Sequence, residues 1–342
     1  MRGALSATAI LVAAGLALGL WVRTVWQAPL TVPDAGYVLR IEAGSSLGQI
    51  AEKLRRDGVL RTPTLFKAVA RLSGEDARIL RGEYRLEADT TPADLLALIQ
   101  SGATVRYLVT IPEGIRLAEA IAIVQKAEGV KTTLDSVNDP KLHHAFPDAP
   151  FLEGRFLAET YQYERGTSDL DVLRQAYDLG TATLEEEWLK RQVGLPYEEP
   201  SEALIMASII EKETAVSEER PVIAGVFVRR LHREMRLQTD PTVIYGLGSA
   251  FDGNLTRQHL RDESNPYNTY RHKGLPPTPI ALPGRASLIA ALHPAAGDEL
   301  YFVARGDGSH EFNATLEGHE AAVRRYQLKR RADYRSSPRA ER

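Results

Sequence analysis

The hydropathy pattern opens with a block that has no period. From Gly3 to Val22, twenty consecutive residues carry no charge, bounded by Arg2 and Arg23. That is about the length an α-helix needs to cross the hydrocarbon core of a bilayer. The block predicts an uncleaved membrane anchor over residues 1–25. A signal peptide would have a shorter apolar core followed by a small-x-small cleavage site. Here Ala7-Thr8-Ala9 comes too early, and Ala17-Leu18-Gly19 lies inside a run that continues through Leu20, Trp21 and Val22. Arg2 and the terminal amine favour a cytoplasmic N-terminus, a preference that Arg23 weakens. One crossing of the cytoplasmic (inner) membrane is expected, with the bulk of the chain on the periplasmic side. Residues 26–36 carry Pro29 and Pro33 and little periodicity, and read as a linker.

Periods of about 2 and 3.6 residues then alternate. Tyr37 to Glu42 alternates as a strand, Ser45 or Ser46 caps a helix through Arg55, Pro63 to Leu72 forms a second helix, and Arg81 to Leu86 returns as a strand. This β-α-α-β order, around VLRIEAGSSLGQIAEKL, resembles the LysM module, which in its families binds glycans containing N-acetylglucosamine. The alternative is a small α+β spacer without a ligand. A helix from Pro92 to Ser101 and a strand from Thr104 to Ile111 follow. After a turn at Pro112-Glu113-Gly114 comes a helix from Arg116 to Ala127, then a long amphipathic helix from Ser168 to about Val193. Glu219 to Arg233 is again helical, and Tyr301–Ala304 with His310–Phe312 around Gly306-Asp307-Gly308 reads as a β-hairpin. The expected fold class is α+β: an N-terminal transmembrane helix, a small LysM-like β-α-α-β module over residues 37–107, a larger mixed α+β domain over residues 108–328 and a polar basic tail over 329–342.

One stretch sets a carboxylate against this pattern. Wound as a helix from Ser201, its natural N-cap, to Val216, the segment SEALIMASIIEKETAV gathers Ile205, Met206, Ile209 and Ile210 on one face. Glu213 projects from the middle of that face. Glu211 falls on the opposite side with Leu204, Ala207 and Ser208. Desolvation disfavours the ionised form, so Glu213 is expected to hold its proton to higher pH than a surface Glu, as a general acid working near neutrality requires. A salt-bridged or snorkelling Glu at a helix end is the competing reading.

Composition narrows the chemistry. With 342 residues, 44% hydrophobic and 25% charged, the chain has room for two domains of ordinary globular type. A net charge of -3 gives no basic face for a nucleic-acid partner. The absence of cysteine removes disulfides, thiolate metal sites and thiol nucleophiles. His143 and His144 are adjacent, without metal-ligand spacing, and read as surface residues; no metal site is expected.

Further polar candidates cluster after the central stretch. Gln238 and Asp240 stand immediately before an apolar strand or helix start. Asn268 and Tyr270 lie in the loop Asn265-Pro266-Tyr267-Asn268-Thr269-Tyr270, whose residue types stack on and hydrogen-bond to sugars. His310, Asn313 and His319 could add hydrogen bonds.

Taken together, MASIIEKETAVSEER, RLQTDPTVIYGLG, NPYNTYRHKGLPPTPIALPG, ALHPA and LYFVARGDGSHEFNATLEGH closely resemble, in order, the motifs of the endolytic murein transglycosylase family, also called YceG-like. The resemblance implies cleavage of the MurNAc-β-1,4-GlcNAc bond within peptidoglycan strands, with Glu213 as acid and then base. It implies a 1,6-anhydromuramoyl product, because the C6 hydroxyl of the muramoyl residue attacks its own anomeric carbon and no second catalytic carboxylate is needed. No cofactor is implied. Peptidoglycan strands, the membrane and cell-wall synthases are the candidate partners. Gln238, Asp240, Asn268, Tyr270, His310 and Asn313 are expected as groove contacts. In one place the chain departs from many relatives, with Ala158-Glu159 where they have Pro-Asp, which leaves a groove role for Glu159 open.

Two other classes compete. A non-catalytic glycan-binding or cell-division adaptor would not need Glu213. A hydrolytic muramidase would need Asp240 or Glu159 as a second carboxylate. An aminodeoxychorismate lyase would need a pyridoxal-phosphate lysine and a phosphate cup, and no Gly-rich loop precedes a helix near Lys212.

Overall fold

Helix α1 (Arg2–Gln27) carries the uncharged block, and from Ala9 to Gln27 it is long and apolar enough to cross a membrane. Leu11, Leu16 and Leu20 are 72%, 71% and 67% exposed, so no protein covers them, as it would in a soluble core helix. The computed structural model describes residues 2–74 and 79–328, and the expected polar tail lies outside the described residues. The stretch after α1 is tied down rather than a free linker. Leu30 is buried, its N–H bonds to the Thr90 carbonyl at 2.8 Å, and the Thr31 N–H bonds to the Val59 carbonyl at 3.0 Å.

Two compact units divide the chain, one running through Tyr107 with Tyr163–Gly166, the other comprising Leu108–Gln162 and the chain from Thr167. In the first unit, β1 (Tyr37–Ile41) is followed by α2 (Leu47–Arg56), α3 (Pro63–Leu72), β2 (Gly82–Leu86) and α4 (Pro92–Ser101). The expected order is present, and β1 pairs antiparallel with β2 in the register Tyr37↔Leu86 to Ile41↔Gly82. Ser46 caps α2 by accepting from the Gln49 N–H while Gln49 answers to the Ser46 N–H, a reciprocal pair that stops the helix fraying. Leu39, Ile41, Leu54, Phe66, Tyr84, Leu86, Leu95 and Ile99 form this unit's core.

β3 (Tyr107–Thr110) is shorter than expected and pairs with β4 (Thr160–Tyr163). Between them lie α5 (Leu117–Lys126) and α6 (Pro140–Ala145), the latter presenting exposed His143 and His144. α7 (Asp169–Leu189) starts at the expected cap, Ser168, whose hydroxyl accepts from the Asp171 N–H at 3.0 Å. The second unit is completed by α8 (Pro200–Glu213), α9 (Arg220–His232), α10 (Asp240–Leu247), α11 (Arg257–Arg261), α12 (Arg285–Leu292), the hairpin β5 (Tyr301–Ala304) and β6 (His310–Asn313), and α13 (Leu316–Val323).

α8 is the centre of this unit and differs from the amphipathic helix expected. Every residue from Ala203 to Ile210 is buried, because α7, α9 and α12 pack around it. Ser208 is buried too, its hydroxyl bonding the Ile205 carbonyl at 2.7 Å and accepting from the Ile280 N–H at 3.0 Å. The N-cap is Glu199 rather than Ser201: Pro200 takes the first helical position, and the Glu202 carboxylate accepts from the Glu199 N–H at 3.2 Å. The helix ends at Glu213, where Thr214 turns extended at φ -144° and ψ 140°. Glu213 therefore stands at a helix terminus and not in the middle of an apolar face.

Candidate active-site groove

The end of α8 opens into a groove of about 1020 Å³, lined by Glu211, Glu213, Gln238, Asp240, Tyr270 and His310 together with Arg230, Thr239, Tyr301, His319 and others. Four of the six expected groove contacts, Gln238, Asp240, Tyr270 and His310, thus meet Glu213 there. The other two do not line it. Asn268 is fully buried; its amide donates to the His259 and Asp262 carbonyls at 3.1 and 2.7 Å, and its oxygen accepts from the Tyr270 N–H at 3.0 Å. It shapes the loop that carries Tyr270. Asn313 ends β6, where its carbonyl accepts from the Leu300 N–H at 2.9 Å, and its buried Nδ2 has no partner among the described residues. Glu159 is exposed, bonds the Thr160 N–H and does not line the groove.

Glu213 retains some exposure as a residue, while its carboxyl group is surrounded by protein. Burial is the main cause that raises its pKa above the ordinary Glu value, and the negative charge of Asp240 adds to it. A hydrogen bond from the Thr239 hydroxyl and the charges of His310 and Arg230 pull the other way without overcoming burial. The C-terminus of a helix is also the end that disfavours an anion. Glu213 makes no ion pair among the described residues, so the salt-bridged alternative does not describe it. Its near neighbour Glu211 is different. Glu211 accepts from Ser287 Oγ at 2.7 Å and the Gly284 N–H at 3.1 Å and faces Arg220 at 3.6 Å. Those contacts hold it as a structural carboxylate.

All four residues of the segment from Leu237 to Asp240 line the groove. Arg230, 6% exposed, fixes its start by donating to the Leu237 carbonyl at 2.6 Å, and also to the Leu300 carbonyl at 2.7 Å. Gln238 then takes φ +54°, a left-handed conformation costly for a residue with a side chain, while its N–H bonds the Thr269 carbonyl at 3.2 Å. Such strain persists only where neighbouring bonds enforce it, and here it leaves Gln238 exposed on the groove. Thr239 is buried behind, with its N–H on Thr269 Oγ1 at 3.0 Å. Asp240 stays exposed and accepts from the Tyr270 hydroxyl at 2.7 Å. Burial, and then that carboxylate, push the Tyr270 pKa well above the usual phenol value, so Tyr270 remains a hydrogen donor.

Several residues here escape a reading of the sequence. Thr239, Arg230, Tyr301 and Glu219 are not marked by spacing, and Glu219 stands at the expected start of a helix. It is a hub instead. Its two oxygens accept from the His310 N–H at 2.7 Å, pair with His310 Nδ1 at 2.7 Å and accept from the Thr214 hydroxyl at 3.0 Å. Its one signal in the sequence is its closeness to Glu213 along the chain, six residues away with a turn between.

The arrangement offers one proton-retaining carboxyl, one exposed carboxylate partner, and fixed donors around an open groove. The sequence profile of the YceG-like family matches residues 39–325. The chain is 31% identical over 310 residues to the endolytic murein transglycosylase of Bacillus subtilis, covering 84% of each chain. It is 27% identical over 312 residues to the protein of that name from Streptococcus pneumoniae, covering 81% of this chain and 56% of that one. The crystal structure of a yceG-like protein from Listeria monocytogenes superposes with a TM-score of 0.51 at 28% identity, over 84% of this chain and 98% of that one. The chain belongs to the YceG-like family.

Proposed function

We propose that this chain is a peptidoglycan lytic transglycosylase, held by α1 in the cytoplasmic membrane with its groove on the outer side, and that it cuts within glycan strands. The single observation that carries the reading is Glu213, a carboxyl whose burial favours the protonated form at the edge of an open groove. The likeness to proteins named endolytic murein transglycosylase supports the substrate and reaction class.

In this reading Glu213 protonates the oxygen that leaves the muramoyl anomeric carbon. The C6 hydroxyl of the same muramoyl residue then attacks that carbon and gives its proton to the Glu213 carboxylate. One C–O bond breaks and one forms, no water enters, and the enzyme returns to its starting protonation. Asp240, exposed on the groove, supports positive charge developing at the sugar ring, and Gln238 and Tyr270 position the strand. The β-α-α-β unit acts as a LysM-like glycan-binding module that keeps the enzyme on its polymer. Cell-wall synthases are the partners whose product it would cut.

The test uses the full-length protein in detergent micelles with purified peptidoglycan, its products weighed by mass spectrometry beside Glu213→Gln. Anhydromuramoyl ends from the wild type alone are expected. Ends carrying added water would replace this reaction with hydrolysis and make Asp240 the second carboxylate, and intact strands with binding retained would favour an adaptor.

A further inference from the structure

The first unit carries a cleft that the proposed reaction does not use. It has a volume of about 490 Å³ and opens at the end of α1, where Val25 in the last turn and Ala28 just beyond the helix line it. Pro29, Leu30, Val32 and Val59 keep the lining largely apolar. Its polar side chains are Thr31, Arg61 and Thr62, and no acidic residue lines it. Arg61 is exposed and, among the described residues, makes no hydrogen bond or ion pair. Thr62 makes no side-chain cap bond to α3, the helix it precedes. The cleft is held against the helix end. Trp26 stacks on Phe66 of α3 with ring centroids 5.8 Å apart, and the Leu30 and Thr31 N–H groups are bonded to the Thr90 and Val59 carbonyls.

Position decides what such a cleft meets. The 19 residues from Ala9 to Gln27, at about 1.5 Å each, match the roughly 30 Å hydrocarbon core of a bilayer. With α1 spanning the membrane, the cleft therefore opens at the boundary between acyl chains and headgroup phosphates. Resting on the anchor proposed above, we infer that it seats one anionic phospholipid of the outer leaflet, with the phosphate on Arg61 and the Thr31 and Thr62 hydroxyls and the upper part of the chains along Val25, Pro29 and Val32. A guanidinium can donate two parallel N–H bonds to phosphate oxygens, and each hydroxyl can donate one more. The lining offers a cation and no carboxylate, so it complements a headgroup of net negative charge, whereas the ammonium of a zwitterionic headgroup has no counter-charge there. A free phosphate ion would leave the apolar lining in water, and acyl chains cover it. So seated, the lipid gives the first unit a second hold on the membrane beside α1.

The experiment counts lipids on the full-length protein. The wild type, Arg61→Gln and Ala28→Trp are titrated in detergent micelles with phosphatidylglycerol or with phosphatidylcholine of the same chains, and native mass spectrometry reads the lipid bound per chain. Gln removes the charge, and Trp fills the cleft while the charge stays. Both positions are exposed, so the variants should fold, and thermal unfolding checks each. The wild type is expected to hold one phosphatidylglycerol and to need about tenfold more phosphatidylcholine for the same occupancy. Each variant should weaken phosphatidylglycerol by about tenfold, the scale of one charge-assisted hydrogen bond. Folded variants that both take up phosphatidylglycerol as the wild type does would overturn the inference, as would equal uptake of the two lipids by the wild type. Flotation with phosphatidylcholine vesicles tests the anchor separately. All three proteins should float, because α1 is unchanged, and a wild type that stayed in solution would remove the anchor and the inference with it.

Discussion

The hydroxyl of Thr239 donates to the carboxyl of Glu213, joining the N-cap residue of α10 to the last residue of α8. A threonine in the cap position ordinarily uses its side chain to accept from the first turn of its own helix. Thr239 makes no such bond. Its backbone is fixed instead by the Thr269 hydroxyl, and its carbonyl accepts from Thr242 Oγ1 at 2.9 Å. The hydroxyl is thus diverted from stabilising α10 to setting the protonation of Glu213, and its neighbour Asp240 acts on the same group with the opposite sign.

Those opposite signs are measurable. Thr239→Val removes a bond that favours the ionised form, so the Glu213 pKa rises further; Asp240→Asn removes a negative charge and lowers it. A general acid works only while protonated, so kcat/KM falls as pH rises through that pKa. The alkaline limb of the profile should therefore move to higher pH in Thr239→Val and to lower pH in Asp240→Asn. Movement of both limbs in one direction would show that Glu213 is not the group being titrated.

Glu213 should also weaken the fold it serves. Its pKa is raised in the folded state, so the native protein binds the proton more tightly than the unfolded chain does. Stability from this source is fully present below the unfolded Glu pKa and is lost as pH rises through the raised folded value, by about 1.4 kcal/mol for each pH unit separating the folded and unfolded pKa. Glu213→Gln, which cannot ionise, should match the wild-type Tm at acid pH and exceed it increasingly as the pH passes through that window, while losing about 100- to 10,000-fold in rate. A Tm difference that does not change with pH would contradict the assignment.

How far the sequence leads depends on whether a feature is local. The long apolar helix α1, the Ser46 and Ser168 caps, the strands β1 and β2 and the β5–β6 hairpin rest on short-range pattern, and each is where the pattern puts it. The raised pKa of Glu213 is also legible, although the reason differs. Helix α8 is buried on all sides, so a wheel projection that assumes one wet face puts Ser208 on the wrong side, and Glu213 owes its environment to the helix end and to α10. Asn268 and Asn313 stand out by residue type alone, which cannot distinguish a sugar contact from a buried amide that holds a loop. Glu219 and Thr239 escape notice because their partners lie 91 and 26 residues away in sequence.

Close packing around α7 gives a prediction independent of the chemistry. Gly180 lies within that helix, and a Cβ there would stand 2.2 Å from the Arg155 carbonyl oxygen and 3.2 Å from the Leu157 nitrogen. Alanine would favour the helix by about 1 kcal/mol over glycine. The clash is with backbone, which cannot turn aside like a side chain, and overpacking of this kind costs about 1–3 kcal/mol or more. Gly180→Ala should lower the Tm in a thermal scan; a rise would mean that Arg155–Leu157 moves away freely.

The two glutamates at the end of α8 should respond to mutation in opposite ways. Glu211 joins α8 to α12 through Ser287 and Gly284 and faces Arg220, itself only 12% exposed. Glu113 also lies 3.6 Å from Arg220, and burial followed by the charge of Glu211 raises its pKa, so one guanidinium serves two carboxyls. Glu211→Ala leaves the Ser287 hydroxyl and the Gly284 N–H without their acceptor and takes from Arg220 one of its two counter-charges. The loss should be about 3 kcal/mol, the lower end of the range for breaking a buried pair by removing one partner, because Glu113 remains. Near neutral pH, then, Glu211→Ala should melt below the wild type and Glu213→Gln above it, although the two sites are two residues apart on one helix. If Glu211→Ala kept the wild-type Tm and lost only activity, the carboxyl that does the chemistry would be Glu211, and the assignment of roles along α8 would have to be exchanged.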